Sequence, residues 1–367
     1  MQLPLPLPEA QAADKVHDRR QQEILLHPPA GLHAIHGVAA PANQEAILGI
    51  RNLKVAFEQN ERIVQVLHGI DLDILPGETV GIVGESGCGK SVTWLAIMGL
   101  LGKRAHLSGS VTLNRQEILS APQKVMTGLR GKRMAMIFQD PSSSLNPAHR
   151  IGSQVAEAVS LHRGLHGKAA QEEARRLLDR VRIPDAAQRM KSYPHELSGG
   201  MNQRVMIAMA LAGEPDLLIA DEPTTALDAT VQAQILDLLK EVRAESGMAM
   251  ALISHDLGVI ADISDRVMVM YAGRVVETAS SERIFANPAH PYTQGLIAAL
   301  PDLHTEGRLK SIPGFVPEPG KLPQGCSFSP RCERSTRLCV NAQPVQVCLD
   351  REHLVSCFNL GEQSIVA

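Results

Sequence analysis

Eight consecutive residues carry the most legible chemistry of this 367-residue chain: Gly84-Glu85-Ser86-Gly87-Cys88-Gly89-Lys90-Ser91. Their spacing, G-x-x-x-x-G-K-S, follows the apolar run Val80–Val83 and precedes the helix-compatible stretch SVTWLAIMGLL. A strand, a bare loop and a helix in that order form a phosphate loop. The glycines let backbone N–H groups turn inward around phosphate oxygens, and the helix adds the positive end of its dipole. Lys90 is placed to reach the β- and γ-phosphates of ATP, and the Ser91 hydroxyl to coordinate Mg²⁺. Cys88 lies inside the loop beside Lys90, so its thiol is expected to have a lowered pKa and to be shielded by nucleotide.

A phosphate loop needs a carboxylate at the end of a neighbouring strand. LLIADEP (Leu217–Pro223) supplies two adjacent acids after an apolar run. Asp221 is placed to hold Mg²⁺ through water, and Glu222 to orient and polarise the attacking water. Ser198-Gly199-Gly200 stands just ahead of a helical run, MNQRVMIAMAL, and offers a second anion site at a helix N-terminus. The two phosphate-binding ends are far apart in sequence, so one nucleotide held by both cannot be assumed.

These residues need elements to position them. ILGIRNLKVAF and VLHGIDLDIL alternate apolar and polar residues, as half-buried antiparallel strands do. TVGIVG, DLLIAD and MAMALIS are short, nearly continuous apolar runs, the pattern of strands covered on both faces of a parallel sheet. Between the last two lies TVQAQILDLLKEVRAES, with Val231, Ile235, Leu238, Leu239 and Val242 at helical spacing. Strand, helix and strand in succession imply right-handed crossovers. From about Asn146 to Glu196 the chain is charged, helical and poor in strands, which reads as a helical insert.

Composition narrows the class. The balance of 44% hydrophobic and 20% charged residues is that of an ordinary soluble protein. A net charge of -3 and only 3% aromatics argue against nucleic acid as a partner. No run approaches the ~20 apolar residues of a membrane span. The start, MQLPLPLPEAQAADKVHDRR, lacks the basic and apolar regions of a secretory signal, so a cytoplasmic location is expected. Residues 1–45, rich in Pro, Ala, Gln and His, read as a disordered tail.

The ordered motifs resemble those of the ATPase subunits of ATP-binding-cassette (ABC) transporters, from about Ile47 to Ala286. LSGG at Leu197–Gly200 looks like their signature, which closes over the γ-phosphate held by a partner subunit. The resemblance implies further roles. Gln139, in IFQDPSSSLNP, is similar to the glutamine that senses the γ-phosphate beside Mg²⁺ and contacts the membrane subunit. TALD (Thr225–Asp228) resembles the D-loop, His255 the switch histidine, and Phe57 the aromatic that stacks on adenine. One departure is Met201, where many members carry Gln after the signature glycines.

The fold expected is therefore α/β: a P-loop ABC ATPase core over 46–286, with an antiparallel β-subdomain and a helical subdomain at about 146–200. A small Cys-rich C-terminal domain over 287–367 follows. NPAHPYTQGLIAALP and SIPGFVPEPGKLPQGCSFSPRC in that last segment resemble the dipeptide and oligopeptide importers, in particular their D-type subunit. Nickel and glutathione importers share parts of the pattern, and a soluble non-transport ABC ATPase would share the core. The implied partners are two membrane permease subunits, a second and different ATPase chain, and an extracytoplasmic peptide-binding protein. The implied place is the cytoplasmic face of a bacterial inner membrane.

Five of the six cysteines fall between Cys326 and Cys357. Thiols this dense in a cytoplasmic protein usually hold a metal or a cluster. The spacing lacks the close C-x2-C pairs of zinc ribbons, yet zinc or free thiols remain alternatives. The resemblance implies a [4Fe-4S] cluster on Cys326, Cys332, Cys339 and Cys357, with Cys348 spare. The nucleotide chemistry looks complete without this segment.

Overall fold

A computed structural model describes residues 45–59, 62–140, 144–225, 227–300, 311–350 and 352–360. Apart from Glu45, the expected N-terminal tail lies outside the described residues. The strands are β1 (Leu48–Gln59), β2 (Arg62–Ile74), β3 (Thr79–Val83), β4 (Ala105–Leu113), β5 (Gln116–Glu117), β6 (Met134–Ile137), β7 (Leu217–Asp221), β8 (Ala249–Ile253), β9 (Arg266–Tyr271), β10 (Arg274–Ser280), β11 (Val347–Asp350) and β12 (His353–Val355). The helices include α1 (Lys90–Ile97), α2 (Gln123–Leu129), α3 (Ile151–Arg163), α4 (Lys168–Arg180), α5 (Ala186–Arg189), α6 (Gly199–Leu211), α7 (Ala229–Ser246), α8 (Leu257–Ile263), α9 (Ser281–Ala286) and α10 (Pro291–Ala298).

Two sheets form. The smaller is antiparallel, in the order β2-β1-β4-β5, as the alternating patterns of β1 and β2 require. The larger runs β11-β12-β10-β9-β3-β8-β7-β6. Its five strands from β9 to β6 are parallel, and the β10–β12–β11 edge is antiparallel.

Every residue of β3, β7 and β8 is buried, because both faces of the sheet are covered. Alternation along the strands divides two cores. Leu217 and Ile219 join Val80, Ile82 and Trp94 on the side of the antiparallel sheet. Leu218 and Ala220 join Val155, Leu178 and Leu239 on the side of the helices. Each such Val, Leu or Ile side chain taken wholly out of water contributes about 1.5–3 kcal/mol.

The helical insert is present as α3, α4 and α5, and α3 packs on α4 and α6. Crossover helix α7 is capped by Asp228, whose side chain accepts from the N–H groups of Thr230 and Val231, and ends at Gly247 with φ 67°. α1 is shorter than its apolar run promised, ending at Ile97 with Met98 as its cap.

The segment after 287 has no core of its own among the described residues. Tyr292, Ile297 and Phe328 are buried in the same cluster as the sheet and helical insert. β12 pairs with β10, so the main sheet ends in strands from this segment. The Cys-rich piece is thus an edge and cover of the ATPase core, where sequence alone pictured a separate small domain.

This arrangement can be tested through Trp94, the single tryptophan, which is buried in the opposite core. Phe328→Ala should destabilise the chain by ~3–5 kcal/mol. Urea unfolding followed by Trp94 fluorescence should show one transition at a lower midpoint. An unchanged Trp94 midpoint would show that the segment unfolds on its own.

Candidate active site

Strands β3, β8, β7 and β6 are parallel neighbours in that order. The loops after Val83, Ile253, Asp221 and Ile137 therefore leave one edge of the sheet, the edge at which α/β folds bind ligands. Those loops carry residues 84–91, His255, Glu222 and Gln139.

The phosphate loop is held tightly at its start. Gly84 has φ +154°, and a Cβ there would stand 2.2 Å from the Met270 carbonyl oxygen. Lys90 is buried and donates from Nζ to the carbonyls of Gly84 (2.5 Å) and Glu85 (3.1 Å). Ser86, Gly87 and Ser91 are exposed, which leaves the middle of the loop open to a ligand. Gly89 precedes α1, whose first residue is Lys90.

Asp221 is buried, and its carboxylate accepts from the Ser91 hydroxyl. Burial pushes the Asp221 carboxyl above its ordinary range. The Ser91 bond opposes the shift, the Glu222 charge adds to it, and Lys90 opposes it. Two oxygens that already meet across one hydrogen bond fit a shared Mg²⁺, whose charge would offset the cost of burying the carboxylate.

Three groups converge on one oxygen of Glu222. Gln139 Nε2 donates to Oε2 at 2.7 Å, and Thr225 Oγ1 donates to it at 2.8 Å. His255 Nδ1 stands 3.3 Å away. Glu222 itself has φ +50°, which costs a non-glycine residue about 1–3 kcal/mol. Its N–H still donates to the Ile253 carbonyl at 2.9 Å, so the turn begins directly off the sheet. The sequence brought Gln139, Glu222 and His255 together only by resemblance. Here they touch, and Thr225 joins them.

The signature residues stand elsewhere. Ser198 and Gly199 are exposed, and Ser198 caps α6 by accepting from the Met201 N–H at 3.3 Å. A Cβ on Gly200 would sit 2.5 Å from Val231 Cγ1, so α6 and α7 approach too closely there for a side chain. Phe57 is half-buried on the inward face of β1, at the end of the Leu53, Val55, Phe57 row. Part of the D-loop, Ala226, lies outside the described residues.

Burial decides the state of Cys88. It is 1% exposed, and desolvation pushes its thiol up despite the opposing Lys90 charge. The expected lowered pKa is therefore corrected: proximity to a lysine loses to the loss of water.

Sequence reasoning missed two further residues at the loop. Tyr292 OH accepts from the Glu85 N–H at 2.9 Å, and Arg331 donates to both Glu85 oxygens at 2.7 and 3.0 Å. Both come from the segment thought irrelevant to the nucleotide. Nothing local marks SPRC (Ser329–Cys332) as a partner of a loop 246 positions earlier.

None of the six cysteines is paired in a disulfide. Burial pushes Cys357 up to about 12, and charge on Cys326, Cys332 and Cys339 would act in the same direction. Cys348 stands apart and donates to the Asp350 carbonyl. Among the described residues, no three His, Cys, Asp or Glu side chains are gathered to hold a metal ion. The expected iron–sulfur site thus finds no support in a formed ligand set.

Comparison with known proteins places this geometry. A family model described as ABC transporter matches residues 67–225. A second, described as oligopeptide/dipeptide transporter, C-terminal region, matches residues 276–339. The chain is 48% identical over 325 residues to the oligopeptide transport ATP-binding protein OppD of Salmonella typhimurium, covering 88% of this chain and 97% of that protein. This chain belongs to the ABC transporter family. A putative peptide import ATP-binding protein of Brucella abortus is 49% identical over 301 residues, 82% of this chain and 91% of that one. A solved dimeric ATP-binding cassette, in a post-hydrolysis state with ADP and phosphate, is 28% identical with a TM-score of 0.58. It is covered over 98% of its length but covers 64% of this chain, so this ABC ATPase carries structure beyond the cassette.

The corrected state of Cys88 predicts its reactivity. Alkylation at pH 8 in the folded chain should be slower than that of a free thiol in solution, as read by mass spectrometry of the labelled peptide. Faster alkylation would mean that Lys90 outweighs burial after all.

Proposed function

We propose that this chain hydrolyses ATP to power import of di- and oligopeptides through separate membrane permease subunits. The observation that carries the enzymatic part is the convergence of Gln139, Thr225 and His255 on Glu222 beside the phosphate loop. The peptide part is supported by the C-terminal match and by the functions that the relatives' names carry. Those names favour peptides over nickel or glutathione.

In this reading, Lys90 and the loop N–H groups bind the β- and γ-phosphates of ATP, with Phe57 against the adenine. Ser91 and Asp221, joined by Gln139, would hold Mg²⁺, which neutralises charge on the phosphate oxygens. Glu222 accepts a hydrogen bond from the attacking water and aims it at the γ-phosphorus. The Gln139 and His255 side chains, which now hold Oε2, turn to the γ-phosphate when ATP is present and leave that oxygen for water. Ser198 and Gly199 face out to a second ATPase chain and, with Gly200 packed behind them on α7, serve the nucleotide of that partner.

Docking on the membrane subunit has its own support. Leu100, Phe138 and Leu161 are exposed, and with Leu145, Met206 and Met209 they line an apolar groove immediately before Gln139. Exposed apolar patches of this kind mark interaction sites. A cytoplasmic helix of the permease is the occupant this reading assigns, which puts the chain at the cytoplasmic face of the inner membrane. Among the described residues, no helix is long and apolar enough to cross a membrane. The extracytoplasmic binding protein joins through the permease.

Cys326, Cys332, Cys339 and Cys357 are proposed to hold a [4Fe-4S] cluster. Support comes from the density of these four cysteines in the sequence and from the separation of Cys348, whose thiol donates to the Asp350 carbonyl; among the described residues the four thiols are not gathered into a ligand set. A cluster would staple the segment and takes no part in hydrolysis.

Two measurements check these readings. Glu222→Gln in the assembled transporter should lower turnover by ~10²-fold or more while ATP binding persists. Unchanged turnover would remove Glu222 from the mechanism. Anaerobically purified chain should contain iron and sulfide, lost in Cys332→Ser but kept in Cys348→Ser. Stoichiometric zinc without iron, or no metal, would overturn the cluster.

A further inference from the structure

Glu85 is the second residue of the phosphate loop, and every polar group on it is engaged. Its carbonyl accepts from Lys90 Nζ at 3.1 Å and from the Cys88 N–H at 3.2 Å, bonds internal to the loop. Its N–H and its carboxylate are taken by Tyr292 and Arg331, both C-terminal to residue 287. The Arg331 side chain is 4% exposed, although its partner Glu85 is 31% exposed.

Arg331 is held as firmly as it holds. Its Nε donates to the Pro313 carbonyl at 2.7 Å. Its guanidinium lies 5.8 Å from the centre of the Tyr271 ring and 6.0 Å from that of Phe328. A planar fork fixed by a carbonyl and two rings can meet both carboxylate oxygens in only one orientation. Tyr292 is equally constrained. It is fully buried, its ring centre lies 4.7 Å from that of Tyr271, and its N–H donates to His290 Nδ1 at 3.0 Å. Both side chains are therefore braced by groups outside the phosphate loop. A P-loop otherwise relies on its own glycine-rich backbone to stay shaped for phosphate.

We propose that Arg331, with Tyr292, is a positioning residue for ATP, so that the C-terminal segment sets the nucleotide affinity of the phosphate loop through Glu85. The inference rests on the reading that this loop binds Mg-ATP. Coupling of this kind is reciprocal: a segment that favours the ATP-ready loop must itself be steadied by ATP. The segment is then an input to the ATPase, and whatever loosens it weakens nucleotide binding while the hydrolytic groups stay intact.

The test uses the full chain for Mg-ATP binding and the assembled transporter for kinetics. Arg331→Ala should raise Kd and KM for Mg-ATP about tenfold, the scale of lost charge-assisted hydrogen bonds. Its kcat should change less than about twofold, because KM alone moves when binding that is uniform along the reaction is lost. Glu85→Gln leaves the Arg331 bond to Pro313 and its ring packing in place, and should raise Kd in the same direction. The double variant should be no worse than Arg331→Ala, since both act on one interaction. Mg-ATP should slow amide hydrogen exchange across 311–332 in the parent and not in Arg331→Ala. Parent-like Kd in both single variants, strictly additive effects, or exchange indifferent to Mg-ATP would each overturn the inference. Failure of the parent itself to bind Mg-ATP would overturn the underlying reading of the loop along with it.

Discussion

Parallel pairing of β3, β8, β7 and β6 is the constraint from which the site follows. Val80 lies opposite Ala251, Ala220 opposite Leu252, and Ile137 opposite Ala220. Because side chains alternate, a slip of one residue in β7 would exchange the two core faces and carry Asp221 away from Ser91. The buried apolar surface on both faces makes such a slip costly. Hydrophobic packing far from the nucleotide thus sets where the carboxylates stand.

That rigidity lets the sheet hold a strained residue. Glu222 adopts a left-handed backbone directly after β7, with its N–H still bound to Ile253. The turn swings its carboxylate toward Gln139 and His255, which leave the neighbouring strands β6 and β8. Burial then tunes the charges around it. Asp221 and Cys88 are both pushed up by desolvation, and in each case Lys90 opposes the shift without reversing it.

The C-terminal segment is built into this scaffold by buried polar groups as well as by packing. Glu277, wholly buried on β10, accepts from the N–H groups of Ala289 and His290 and meets His353 Nε2 at 2.7 Å. Burial lowers the His290 pKa to about 4, so at neutral pH its Nδ1 is free to accept from the Tyr292 N–H. The hydroxyl of Tyr292 then reaches Glu85. Removing one member of such a network leaves a buried group without its partner, which costs more than the bond itself contributed.

The phosphate loop, the acid pair, the helical insert and the parallel core were legible in the sequence by itself. Each is a local pattern: bare residues before a lysine, acids after an apolar run, and apolar residues at a period of two or 3.6. Gln139, His255 and the signature were legible only through resemblance, because a single polar residue in a loop carries no periodic signal. Tertiary structure alone decided three matters. It placed the Thr225 hydroxyl on Glu222 Oε2, a contact that nearness in the chain allows but does not select. It buried Cys88, reversing the sign that Lys90 implied. It also brought Arg331 across 246 positions to Glu85. The depth of a thiol and the partner of a distant arginine depend on how separate elements pack, and no stretch of sequence encodes that packing locally.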